Sequence, residues 1–166
     1  MDEPTFWTLV EAAKAEATPA LSNQPEILQK KLEALPPREI IAFDRIFTQL
    51  HHDAYRWDLW AAAYIIEGGC SDDGFTDFRA GLIGLGRDAY YAALADPGTL
   101  VRQPTRGVDF SNEEMLYAAR QAYEAVTGEE MPDHGLVHPR EPLGERWEEA
   151  TVGEKYPELA AKFGFR

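Results

Sequence analysis

Apolar residues recur at helical spacing along most of this chain. Phe6, Leu9, Val10 and Ala13 fall at i, i+3, i+4 and i+7, which predicts a helix from Pro4 to about Ala17, ended ahead of Pro19. Ser22 and Asn23 supply caps for a second helix, with Pro25 in its first turn and Ile27, Leu28, Leu32 and Leu35 inward. Pro36 and Pro37 end it and open a third, whose stripe is Ile40, Phe43, Phe47, Leu50 and Ala54. Leu59 to Ile66 is apolar on all sides, the pattern of a central helix wrapped by others.

Glycine and proline punctuate the rest. Gly68 and Gly69 supply a helix stop, since glycine accepts the left-handed conformation there. Ser71 caps the next helix, to about Leu85, and another runs from Asp88 to Ala95. Residues 96–109 hold two prolines and two glycines and read as a loop. Ser111 is placed to cap a long helix closed by Gly128. Residues 131–142 read as a loop, followed by short helices near Glu145 and Glu154, with Pro157 in the first turn of the last. Alternation of period two is sustained nowhere. The expected fold is all-α, a single-domain helical bundle around a central apolar helix, with an irregular acidic portion from about residue 128.

Composition agrees. A chain of 166 residues, 45% hydrophobic and 11% aromatic, can bury the core of one domain. The N-terminus, Met1-Asp2-Glu3-Pro4, lacks the basic start of a signal peptide. The longest apolar run is far short of the roughly 18 residues of a membrane span. Cys70 is the only cysteine, so no internal disulfide can form. Together these point to the cytoplasm and away from membranes. The net charge is -13, and residues 109–150 hold 11 acids against 3 bases. Such a surface repels phosphate backbones, so nucleic acid is not an expected partner. It serves first to keep the protein soluble, and second as a face for a basic partner.

Family resemblance enters with Phe6-Trp7 and the span from Ala54 to Phe78, AYRWDLWAAAYIIEGGCSDDGFTDF, continued by Arg79, Gly86-Arg87 and the region from Tyr90 to Pro97. These residues resemble the bacterial family of unknown function DUF4240, over roughly the first two thirds of the chain. The resemblance implies small stand-alone proteins, or segments beside WGR-type domains, and no particular activity or cofactor. One departure is Gly81, where the family pattern implies a bulky aromatic, usually tryptophan.

Candidate chemistry gathers in the same span. Ser71-Asp72-Asp73 places two carboxylates after a glycine turn, able to bind a cation or act as acid and base. The simpler reading is a serine cap with acids suited to the helix dipole. Asp73 and Asp77, four apart, repel by a few tenths of a kcal/mol. Arg56, Arg79 and Arg87 are the expected neutralising cations. Cys70 is better read as a small buried residue than as a nucleophile activated by His51 or His52. Adjacent His51 and His52 point about 100° apart on a helix, so they do not share a metal by themselves. His134 and His138 have i, i+4 spacing, but Gly135 and Pro139 argue against the helix that zinc ligation would need. No metal or cofactor is expected.

The glycines at 81, 84 and 86 read as a loosened helix end rather than a phosphate cradle. Trp57, Trp60, Tyr64, Phe75 and Phe78 read as core, or as the lining of a pocket. Gly81 itself leaves two options: neighbours such as Trp57 or Trp60 fill the space, or an apolar pocket opens beside Asp77. The expected function is a cytosolic binding or interaction module. It would recognise a protein partner or small ligand through the Tyr55–Arg87 region, with Arg56, Trp57, Asp58, Ser71, Asp72, Asp73, Asp77, Arg79 and Arg87 as candidate ligand contacts. The alternative is a small hydrolase-like enzyme using Asp72, Asp73 or Asp77, with or without a metal.

Overall fold

Helix ends fall where local chemistry can satisfy them. The structure is a computed structural model, and it describes residues 1–104 and 110–166. Helix α1 spans Glu3–Glu16 and is capped by Asp2, whose carboxylate accepts the Thr5 amide at 2.9 Å. In α2, Gln24–Glu33, the expected side-chain cap is absent. Asn23 turns back and accepts the Thr18 amide at 2.9 Å instead. Helix α3, Pro37–Asp53, opens on the second of the two prolines. Helix α4, Trp57–Glu67, stops at Gly68, whose φ of 69° is left-handed. Ser71 caps α5, Asp72–Gly84, by accepting the Gly74 amide at 3.1 Å. Helix α6 follows at Arg87–Ala95.

The C-terminal third departs from the expected pattern. Residues 96–109 are not simply a loop, because Pro97–Arg102 forms a 3-10 helix capped by Asp96 through the Gly98 amide at 2.9 Å. The last five residues of that stretch lie outside the described residues. The long helix expected from Ser111 is split. Glu113–Leu116 is 3-10, and α7 spans only Ala118–Thr127. The Asn112 amide is committed to the Asp77 carbonyl at 3.1 Å, and the Ser111 hydroxyl bonds Glu67, so neither begins an α-helix. Gly128 closes α7 as expected. No helix forms near Glu145. Leu143 instead exchanges backbone bonds with the α3–α4 junction: its amide donates to Tyr55 at 3.0 Å, and its carbonyl accepts from Trp57 at 2.9 Å. A 3-10 turn, Val152–Glu154, leads into α8, Pro157–Phe163, with Pro157 in its first turn.

The bundle is all-α, and no sheet forms among the described residues. Helix α4 buries Leu59, Ala61, Ala62, Ala63 and Ile65. Helix α5 shares the centre: residues 78–84 are all buried, and it packs against α1, α3, α4 and α6. Phe6, Phe43, Phe75 and Phe78 anchor the core without exposure. At Gly81 no pocket opens. A Cβ built there would lie 1.8 Å from the Phe110 carbonyl oxygen. Of the two options, the space is filled, but by the Phe110 backbone rather than by Trp57 or Trp60, so the alternative of a pocket beside Asp77 is ruled out.

Candidate functional site

Arg79 is the largest side chain with no exposure at all. It lies on α5, one turn past Phe75, and its fork reaches in three directions. Nε donates to the Phe75 carbonyl at 3.3 Å and Nη1 to the His51 carbonyl at 2.9 Å. Nη2 faces Thr76 Oγ1 at 3.4 Å and His138 Nε2 at 3.2 Å. The guanidinium carbon sits 4.5 Å from the Tyr55 ring centre and 5.0 Å from that of Phe75. Two π-faces thus stand where a carboxylate would be expected, and no carboxylate pairs directly with Arg79 among the described residues. Burial draws its pKa down to about 10, against the pull of Tyr55 and Asp72. Tyr55 donates its hydroxyl to Asp72 at 2.9 Å, linking the stack to the start of α5.

Three histidines lie around this cation. His138 donates from Nδ1 to the Pro139 carbonyl at 2.7 Å, so its Nε2 lone pair is free to accept from Arg79. His51 donates to the Thr76 carbonyl at 2.9 Å. Its pKa is pushed down to about 3, first by burial and then by Arg79. His52 is lowered by burial and by His138 and Arg79.

Beside this cluster the aromatics extend outward as a ladder. Phe75 stacks on Trp60 at 5.1 Å, and Trp60 on Trp57 at 5.2 Å, nearly parallel. Trp60 is fixed by its indole N–H, which donates to the Cys70 carbonyl at 2.9 Å. Trp147 arrives from the C-terminal segment and stands almost perpendicular to both indoles. Its N–H donates to the Trp57 carbonyl at 2.8 Å. Together with Tyr64, Ser71 and Cys70 these rings line a cleft of about 510 Å³, closed on one side by residues 146–150.

The family model for DUF4240, a protein of unknown function, matches residues 1–125. The chain belongs to that family. No curated protein and no solved structure matches it. The DUF4240 match ends within α7. His138 and residues 146–150 therefore reach the site from outside it.

The sequence-derived candidates divide on this DUF4240 scaffold. Trp57 and Ser71 line the cleft. Asp72 and Arg79 belong to the adjoining network. Arg56 turns back to the Asp53 carbonyl at 2.9 Å, and Asp58 accepts the Leu59 amide at 2.7 Å, so both serve the α3–α4 corner. Arg87 lies elsewhere, over Tyr91 at 5.4 Å and beside Asp88 at 3.6 Å. Neither Arg56, Arg79 nor Arg87 pairs with Asp73 or Asp77, contrary to expectation. Asp73 is exposed. Asp77 has its carboxyl pKa raised by burial, then by Glu113 and Asp73. Cys70 has its thiol pushed up to about 12, chiefly by burial and then by Glu67 and Asp77, which disfavours the thiolate. Among the described residues, no three His, Cys, Asp or Glu side chains converge as a metal site would require.

Of the aromatics read as core or pocket, Phe75 and Phe78 are core, while Trp57, Trp60 and Tyr64 line the cleft. Sequence reasoning weighed His138 only as a metal ligand, not as a partner of Arg79, and missed Arg146 and Trp147. Nothing local marks them, because they act from a segment without periodicity. A second cleft, of about 540 Å³, lies between Pro97–Arg102 and α8. Its polar lining mixes Asp96 and Glu158 with Arg102 and Lys155, and it offers no comparable aromatic wall.

Proposed function

We propose that this protein is a binding module whose recognition site is the aromatic cleft beside Ser71. One observation carries this reading. Four aromatic side chains from two distant parts of the chain, Trp57, Trp60, Tyr64 and Trp147, converge on one open cleft without filling it. Apolar walls with a few polar groups at the margin are the usual make-up of a ligand site. Here the rings supply the apolar walls, while Ser71, Arg146, Glu148 and Glu149 make the exposed lining more polar than apolar. The neighbouring Arg79 network holds the ladder in place from beneath, through Phe75 and Tyr55. The module works in the cytoplasm on this reading, supported by a single cysteine that can form no internal disulfide.

Binding is preferred over hydrolysis on the placement of the carboxylates. Asp72 is held by Tyr55, Asp73 points to solvent, and Asp77 sits against another acid. The test is a ligand-observed NMR screen of a broad small-molecule library against the whole protein and its Trp147→Ala variant, with circular dichroism as the fold control. Compounds that bind the first and not the second are expected. A screen in which no compound distinguishes the two would overturn the proposal.

A further inference from the structure

We infer that the cleft is built for a guanidinium, and that it takes an arginine side chain of a partner peptide. This rests on the cleft being a ligand site, and adds the class of ligand. Trp60 stacks on one face of Trp57, which leaves the other face for a different group. A cation already lies against that ring: the guanidinium carbon of Arg146 is 5.4 Å from the Trp57 ring centre. Arg146 is exposed and makes no ion pair among the described residues, so this contact is its main attachment. The chain's own arginine thus marks where a cation is welcome, and it is held loosely enough to give way.

Charge favours an incoming cation over an anion. Glu148 and Glu149 line the same cleft, are exposed, and pair with no basic side chain among the described residues. The whole chain carries -13, so its field draws basic segments toward it. A guanidinium suits the rings better than an ammonium. It is planar, stacks on indoles, and gives up its hydration more readily. When it enters, Arg146 swings out to solvent, and Glu148 and Glu149 meet the donors left at the rim.

The experiment compares two probes of nearly equal shape on the full chain, N-acetyl-arginine amide and the neutral N-acetyl-citrulline amide, by tryptophan fluorescence. The arginine probe should bind about five-fold tighter or better, the ratio expected of a modest cation–π contact. Arg146→Ala should tighten it by removing the competitor, and the double change Glu148→Gln with Glu149→Gln should weaken it. All three of these residues are exposed, so the variants are expected to keep the fold. Equal binding of the citrulline probe, or weaker arginine binding in Arg146→Ala, overturns the inference. If neither amide binds while another compound seats in a Trp147-dependent way, the guanidinium assignment fails and the cleft remains a ligand site. If nothing binds, both fail.

Discussion

Glycine at two positions of α5 shows how much one methyl group can decide. At Gly81 a Cβ would meet the Phe110 backbone, with its oxygen at 1.8 Å and its carbonyl carbon at 2.7 Å. Backbone cannot rotate away as a side chain can. Gly81→Ala should therefore destabilise the protein by at least the roughly 1–3 kcal/mol typical of overpacking, and Gly81→Trp by more. At Gly74 the nearest atoms to a Cβ are Ser71 Oγ at 3.4 Å and Cys70 Sγ at 3.5 Å, ordinary contact distances. There the lower helix propensity of glycine is the main effect, so Gly74→Ala should stabilise by about 0.5–1 kcal/mol. Urea denaturation of both single variants checks the contrast. Equal effects at the two positions would show that the approach of residue 110 is not a constraint.

At the scale of elements, the segment from 129 to 150 holds itself to the bundle by scattered anchors rather than by a periodic face. Met131 is buried. His134 reaches Asp44 at 3.3 Å and Thr48 at 3.2 Å, His138 reaches Arg79, and Leu143 pairs with the α3–α4 corner. Arg79 is the joint between this strap and α5. Lysine in its place keeps the charge but not the planar fork, and cannot serve the His51 carbonyl and His138 together. Arg79→Lys should cost roughly 2–4 kcal/mol, because a buried cation loses charge-assisted hydrogen bonds to neutral acceptors. His138→Ala should cost nearer 1–2 kcal/mol, because water can replace an exposed acceptor. Thermal denaturation of the two variants tests that order. These anchors also explain what the sequence could reveal. The stops at Pro36, Gly68 and Gly128 act locally, as does the Ser71 cap, so they were legible, and α1 to α6 followed. Arg79 read as a counter-ion for Asp73 and Asp77, and only its tertiary neighbours show it buried against rings and carbonyls instead. The strap's contributions have no local signature. Trp147 belongs to the cleft because Leu143 pairs with Tyr55 and Trp57 and because its own indole N–H bonds the Trp57 carbonyl.

For the whole molecule, the Arg79 cluster makes stability depend on pH in a definite direction. In the unfolded chain His51 takes up a proton near its ordinary value of 6.5, whereas in the fold burial and Arg79 hold it down to about 3. Between those values the unfolded state binds the extra proton, so stability falls as pH drops below 6.5, by up to about 1.4 kcal/mol per unit. His52, also lowered, acts in the same sense but is partly open to solvent. Asp44 opposes them. Its carboxyl pKa is raised above 3.8 by burial, which outweighs Arg120 and His134, so the fold binds its proton at a higher pH than the unfolded chain does. Acidification through that range therefore returns some stability, as it does for Asp77, whose carboxyl is also raised. The histidine effect begins at 6.5, while the carboxylates contribute only as their own raised range is approached. Stability should thus decline first, between about pH 6.5 and 5. His51→Gln keeps a donor for the Thr76 carbonyl and cannot titrate, so it should flatten that decline. Asp44→Asn removes an opposing group and should leave the decline in place, steeper at its acid end. Denaturant unfolding at a series of pH values gives all three slopes. An unchanged slope in His51→Gln would show that the proton balance of folding does not reside at this histidine.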